Sequence, residues 1–436
     1  MAVATRDSTM ETFVIEGGVP LSGTVRPTGN KNAALPILAA CLLTSDPVTL
    51  ENVPRIRDVE AMIELLTDIG VDVEWLGPSR LRVWAADVRK LSLDAELCTR
   101  IRASILFAGP LLARFGTVDI PPPGGDVIGR RRVDTHLMAF AGLGADVEAN
   151  REYKLRAPGG LAGADLYLDE ASVTGTENAI MAAVLARGTT VIRNAACEPH
   201  VQDLCELLCT MGATIQGIGS NVLTIHGCDR LHGASYRVGA DHIEVASFIG
   251  LAAVTGGEVR IEDAAVGHLR SIRHTFARLG VRVEVEGDAV RVPAGQELHV
   301  VDDVHAQIPK IEDGPWPMFP ADLTSIAVAV ATQARGTVLI FEKMFENRLI
   351  FTDKLVSMGA RIVLCDPHRA VVTGPAKLIG ERMASPDIRA GMAMVIAALA
   401  AEGESRIGNI GEIDRGDERI DERLRGLGAR IERIHA

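Results

Sequence analysis

One short phrase recurs six times along this chain, and it narrows the folds open to it. An apolar residue and a glycine are followed by two variable positions, then Val or Ile in an alternating run. The phrase reads IGVDVEW from Ile69, LGADVEA from Leu143 and MGATIQG from Met211. It returns as LGVRVEV from Leu279, MGARIVL from Met358 and LGARIER from Leu427. Its glycines, Gly70, Gly144, Gly212, Gly280, Gly359 and Gly428, stand 68 to 79 residues apart. Self-similarity at a near-constant period is the mark of a repeated structural unit.

Each copy has the same local grammar. Residues 59–68, DLCELLCT before Met211 and RSIRHTFAR before Leu279 carry apolar residues at three- and four-residue intervals, which predicts helices. The glycine then ends the helix in the left-handed region, where a side chain is unwelcome. A period-two strand follows, as at 281–285, then a turn at 286–288 and a second strand at Ala289–Val292. Such a unit is half-buried and needs neighbours. Six could form one ring, one solenoid or two threefold clusters, and ordinary helix-to-strand punctuation in an α/β protein is the plainer alternative.

A chain of 436 residues exceeds one ordinary core, so two domains of about 200 residues are expected. Three repeats per domain match that length, with a boundary near 230–240 and a ligand cleft between the domains. Aromatic residues are only 4%, so the cores must be built from Ala, Val, Leu and Ile. The net charge of −12 argues against a general binder of nucleic acid or acidic membrane. A phosphorylated ligand therefore needs a local basic cluster. No signal-peptide run is read at the N-terminus, and the longest apolar stretches (33–43 and 390–401) fall short of the roughly 20 residues that span a bilayer. The expected location is cytoplasmic, with no membrane partner. Seven scattered cysteines read as free thiols of a reducing compartment. Cys205 and Cys209, four apart on a predicted helix, read as buried packing rather than as a metal site.

Four features could carry chemistry. In PTGNKNAALP from Pro27, a Gly-Asn turn leads into an apolar helix with Lys31 and Asn32 at its start. A cation is ill placed there unless an anion joins it, when backbone N–H groups and the ammonium bind a phosphate together; a solvated lysine is the alternative. In IPPPGGDVIGRRRVDTH from Ile120, prolines and glycines write a long loop of the kind that closes over ligands. Its three arginines beside Asp126 suit a multiply charged anion, or form a solvated basic turn. Arg102, Arg348, Arg389 and Arg415 sit at element ends, with Asp387 and Asp414 as local partners. Asp322, in WPMFPADL, reads as a helix N-cap, a catalytic acid–base group, or both.

Taken together, GNKNAALP, RASILFAGPLLARFG, PPGGDVIGRRRVDTH, ASVTGTENAIMAA, FPADL, FENR, PDIRAG, IDRGDERI and the final LGARIERI occur in order over nearly the whole chain. This set resembles the UDP-N-acetylglucosamine 1-carboxyvinyltransferases, a family of enolpyruvyl transferases of peptidoglycan precursor synthesis. The resemblance implies a two-domain inside-out α/β barrel of six βαβαββ-like units, three per domain. Residues 31–239 would form the first domain, 1–30 and 240–436 the second, with the active site in the cleft between them. It implies phosphoenolpyruvate and UDP-N-acetylglucosamine as substrates, with no metal or organic cofactor. Asp322 would be the base and Asp126 the acid; Lys31, Arg131 and Arg415 would hold phosphoenolpyruvate, supported by Arg348 and Arg389. The UDP-sugar contacts would be Asn32, Arg102, Arg131, Arg132, Val133, Asp134, Thr135, Ser172, Val173, Thr174 and Met344.

Where this chain has Asp126, many family members carry the cysteine that fosfomycin alkylates, so this chain is expected to be fosfomycin-insensitive. Arg132 replaces a usual proline, His242 a usual arginine and Asp417 a usual tyrosine. Two further readings stay open: enolpyruvyl transfer to another nucleotide acceptor, and a non-catalytic UDP-sugar-binding paralogue.

Overall fold

Six segments of the chain lack a polar face, which a helix can afford only when surrounded by protein. The computed structural model describes residues 11–125 and 128–435 and forms all six as buried helices. They are Lys31–Ala40, Ala108–Phe115, Val173–Ala183, His242–Thr255, Thr324–Ala331 and Ile388–Ala400. Every residue of Thr324–Ala331 is buried. Ala dominates these helices, so their backbones pack closely with little aromatic filling.

The chain divides into two compact units, one of residues 29–125 and 131–239, the other of 11–28, 128–130 and 240–435. Each has its own apolar core. In the second, the three buried helices pack on one another; in the first, Val173–Ala183 packs on both partners. Amphipathic helices lie outside them. Arg57–Asp68, for example, buries Val59, Met62, Leu65 and Leu66 and leaves its charged face wet.

The sheets repeat one topology. Ser235–Arg237 runs parallel to Val48–Glu51, which is antiparallel to Leu81–Trp84, itself antiparallel to Asp72–Trp75. Four other sheets follow the same order, each with one parallel and two antiparallel pairings. The remaining sheet has three strands, Thr117–Ile120, Tyr153–Arg156 and Asp146–Ala149, and a single parallel bridge from Ser92 to Asp119 where the fourth would lie. Each repeat thus reads β, buried helix, β, outer helix, β, β. Helices inside and sheets outside are the arrangement the resemblance implied.

The chain ends complete this pattern. Glu11–Glu16 lies between Glu404–Gly408 and Arg430–His435, antiparallel to both, where other repeats use their own hairpin strand.

All six repeat glycines have positive φ, from +82° to +104°. At Gly280 a side chain is doubly excluded, because a Cβ would sit 2.4 Å from the His299 nitrogen. The strand expected at 281–285 forms only as Glu284–Glu286. The Arg282 N–H is diverted to Gln296 Oε1 (2.6 Å), which delays the ladder. Cys205 is buried in the core and Cys209 lies at its margin. Among the described residues no helix is long and apolar enough to cross a membrane.

Candidate active site

The buried helices are apolar along their bodies but begin with polar or charged groups. Lys31 opens the first, Ser172 caps the third, Asp241 caps the fourth and Asp387 caps the sixth. Arg102 begins the 3-10 turn that leads into the second, and Asp322 lies in the turn leading into the fifth. Helix N-termini present unpaired N–H groups and a positive dipole end, so the repeat itself gathers anion-attracting ends.

In the unit of residues 29–239, the Lys31 ammonium is buried and pairs with the buried Asp58 (2.8 Å). The solvated-lysine alternative is thereby excluded. Asn30 caps the helix, its Oδ1 accepting from the Ala33 N–H (3.2 Å), and Asn32 is half-buried beside it. The Arg102 guanidinium donates to the carbonyls of Arg131 and Arg132, both at 2.9 Å. Burial, and then the like charge of Arg131, push Arg102 down to about 10. Two of the predicted arginines therefore repel one another.

Arg132 ion-pairs with Asp134 and Asp169, each at 3.0 Å. Thr135 donates to the same Asp169 (2.8 Å). Val133 is half-buried, and Asp134 opens the helix Asp134–Gly142. Ser172 accepts from the Gly175 N–H (3.2 Å), and Val173 and Thr174 form the first turn of that helix. The His136 ring links these pieces. Asn178 donates to its Nδ1 (2.8 Å), so the ring proton sits on Nε2, facing Thr174 Oγ1 (3.2 Å). Burial, then Arg102, push His136 down to about 3, which keeps it neutral.

In the other unit, Asp322 is gripped from two sides. Arg348 reaches Oδ1 (2.6 Å), and Arg389 reaches Oδ2 from Nη2 (2.9 Å) and Nε (3.1 Å). The N-cap reading of Asp322 is corrected: Leu323 is the cap residue of Thr324–Ala331 and makes no side-chain cap bond. Of the expected local partners, Asp387 does pair with an arginine, its Oδ1 lying 3.8 Å from Arg348 Nη1. Asp387 spends Oδ1 on the N–H groups of Arg389 (2.8 Å) and Ala390 (3.0 Å), capping its own helix. Asp414 takes both nitrogens of Arg433 at 2.8 Å, while Arg415 pairs with Glu412 (2.8 Å). Met344 is exposed, and its N–H donates to Asp313 (3.3 Å). Residues 128–130 belong to this unit: Ile128 accepts from Asn347 (3.0 Å), and Arg130 donates its N–H to Glu346 (3.2 Å). Asp126 lies outside the described residues.

Two of the departures fall in this network. His242 is buried against Trp316 and His268, with ring centroids 5.9 and 6.2 Å away. Burial, His268 and Arg389 hold it down to about 3. Asp417 is buried and pushed up to about 7, chiefly by loss of water, with Arg389 opposing. The chain thus places a neutral ring and a readily protonated acid around the arginine that holds Asp322.

Asp58, His136, Asp169 and Asn178 were not singled out from sequence. The signal for Asn178 was present: Thr-Glu-Asn interrupts an otherwise apolar helix. Its amide also donates to the Ile105 carbonyl (2.9 Å) and accepts from the Gly109 N–H (2.8 Å). Asp58 carries no such signal, since it sits on an outer amphipathic helix where an acid is ordinary.

This architecture is that of solved enolpyruvyl-transferring enzymes. The enolpyruvyl transferase NikO from Streptomyces tendae superposes with a TM-score of 0.86 at 26% identity, covering 98% of this chain and 99% of that one. EPSP synthase from Acinetobacter baumannii shares the fold at a TM-score of 0.75 and 16% identity, over 98% and 100% of the two chains. The chain belongs to the family described as EPSP synthase (3-phosphoshikimate 1-carboxyvinyltransferase), which it matches over residues 15–424. Its similar relatives include two proteins named UDP-N-acetylglucosamine 1-carboxyvinyltransferase. One, from Bradyrhizobium diazoefficiens, is 60% identical over 97% of this chain and 98% of its own. The other, from Treponema denticola, is 53% identical over 97% and 99%.

Proposed function

We propose that this protein transfers the enolpyruvyl group of phosphoenolpyruvate to the 3-hydroxyl of UDP-N-acetylglucosamine, releasing phosphate. This is the first committed step of peptidoglycan precursor synthesis. The observation that carries it is 60% identity, over nearly the full length of both chains, to a relative of that name.

The reaction has two halves. In the addition, the sugar oxygen bonds to C2 of phosphoenolpyruvate, C3 gains a proton and the hydroxyl proton goes to a base. In the elimination, the C2–O bond to phosphate breaks and C3 returns a proton, leaving the enolpyruvyl ether. Asp322 is the proposed base. Arg348 and Arg389 fix its two oxygens in place. Asp126 is the proposed acid over C3, assigned by motif match. Lys31, Arg131 and Arg415 would bind the dianion and the charge that develops on it, with Arg348 and Arg389 in support. The sugar nucleotide would meet Asn32, Arg102, Arg131, Arg132, Val133, Asp134, Thr135, Ser172, Val173, Thr174 and Met344. A cytoplasmic location belongs to the same reading and fits the seven free cysteines.

A second reading keeps the chemistry and changes the acceptor. It is favoured by Arg132, whose ion pairs with Asp134 and Asp169 alter a segment expected near the nucleotide. Purified protein should release phosphate from phosphoenolpyruvate with UDP-N-acetylglucosamine and yield the enolpyruvyl product. Release with another nucleotide alone would move the function to that acceptor. Binding of the UDP-sugar without release would make the protein a sensor.

A further inference from the structure

Three consecutive backbone N–H groups, in the segment that carries Met344 and Arg348, end on two buried carboxyl groups. Lys343 and Met344 donate to Asp313 (2.5 and 3.3 Å), and Phe345 donates to Glu342 Oε1 (3.1 Å). The parallel register explains how two acids meet there. Glu312 lies opposite Phe341 at the end of paired strands Lys310–Glu312 and Gly336–Phe341, so the next residue of each strand is an acid. Asp313 is 1% exposed and Glu342 is 0% exposed.

A glutamate this dry beside a second acid resists ionising, because its charged form loses water and meets a like charge. Burial, and then Asp313, push the Glu342 carboxyl up to about 8. Its Oε2 is buried and makes no hydrogen bond among the described residues, a position a neutral acid tolerates far better than a charged one. The other groups around it are few. The Thr324 hydroxyl adjoins, Arg348 is the nearby cation, and His368 meets only the Glu342 carbonyl (2.8 Å). The Lys343 ammonium points instead to Glu312 (3.4 Å).

The segment leads straight to the proposed base. The Arg348 guanidinium lies 5.4 Å from the Phe345 ring centroid, and its Nη2 holds Asp322 at 2.6 Å. We propose that Asp313 and Glu342 are positioning residues that latch residues 343–348 and so fix Arg348 against Asp322. The latch serves the enolpyruvyl transfer proposed above and rests on that reading for its purpose. Loss of the Glu342 proton to solvent leaves a buried charge beside Asp313 at the root of the turn, and the turn loosens.

Two variants and two readouts test this. Glu342→Gln keeps an acceptor for Phe345 but cannot ionise; Asp313→Ala removes the acceptor for two N–H groups. The readouts are phosphate release across pH and amide hydrogen exchange at 343–345, corrected for intrinsic base catalysis. In the wild type, kcat should fall and exchange should rise as pH passes about 8. Glu342→Gln should abolish both trends and retain turnover at pH 7. Asp313→Ala should lower kcat roughly a hundredfold with little change in KM for phosphoenolpyruvate, and should speed exchange at 343 and 344 at every pH. An alkaline fall that persists in Glu342→Gln overturns the latch, as does unchanged exchange in Asp313→Ala. Should Asp313→Ala fail to fold, the near-isosteric Glu342→Gln decides alone. A wild type that shows the exchange pattern without releasing phosphate supports the latch and breaks the proposed reaction.

Discussion

The two units handle their charged groups in opposite ways. In residues 29–239 Arg132 has two acid partners, but Lys31 and Arg102 are more sparsely matched. Lys31 has Asp58, and Arg102 is held by main-chain carbonyls beside a second arginine that repels it. In residues 240–435 acids crowd the arginines. Arg389 is raised by Asp322, Asp241 and Asp417 together, and Arg423 grips Glu244 nearby. A dianion bound beside Arg102 and Arg131 would relieve their repulsion, whereas one bound in the second region would compete with carboxylates already in place. The first is therefore suited to capturing charge and the second to keeping a carboxylate correctly aimed.

The sharpest way to break this contrast is to remove the aimed carboxylate. Asp322→Ala should lower kcat by roughly 10³–10⁴-fold, the span of a lost general base, measured by phosphate release on protein whose fold is verified by circular dichroism. Retention of near-normal turnover would dismiss Asp322 as base. Asp126→Asn should also suppress turnover, by roughly 10²-fold or more, without loss of sugar-nucleotide binding.

In the sparsely matched region the test is stability. Lys31→Met removes one half of a buried ion pair and should cost about 3–5 kcal/mol in urea unfolding. Adding Asp58→Leu should recover most of that. A single mutant as stable as wild type would mean that the pair is not sealed from water.

The crowded region predicts a pH effect of up to about that size. Asp417 is pushed up to about 7, so the folded state keeps its proton after the unfolded chain has lost it. Its contribution to stability is therefore fullest below about 4, the usual aspartate range, and is lost as pH rises to 7. Asp417→Asn should flatten that decline, worth on the order of 4 kcal/mol across the window, in thermal melts run from pH 4 to 8. The smallest expected effect is none at all. Fosfomycin should cause no time-dependent inactivation, because Asp126 offers no thiolate; a mass adduct on the 120–136 loop would refute this.

The repeat was legible because its cause is local. A glycine with positive φ after a helix is dictated by backbone sterics, and all six were visible as one phrase. The apolar helices were visible for the same reason. The partners of the charged groups were not, since Asp58, Asp169 and Glu412 are ordinary acids until folding sets them beside Lys31, Thr135 and Arg415. Asp322 shows the limit most clearly. Its sequence context fitted an N-cap equally well, and only folding, which makes Leu323 the cap residue and brings Arg348 and Arg389 onto Asp322 from 26 and 67 positions away, removes that reading.

The strand Glu11–Glu16, seated between Glu404–Gly408 and Arg430–His435, has a consequence for biosynthesis. Its pairing with Arg430–His435 spans more than 400 residues, from Glu11 to His435, so it can form only after residues 430–435 have been made. The unit of residues 29–239 has no such wait and can complete its sheets on the ribosome. Residues 11–16 must then wait for residues 404–408 and 430–435 to receive them, a long loop closure of the kind that slows folding.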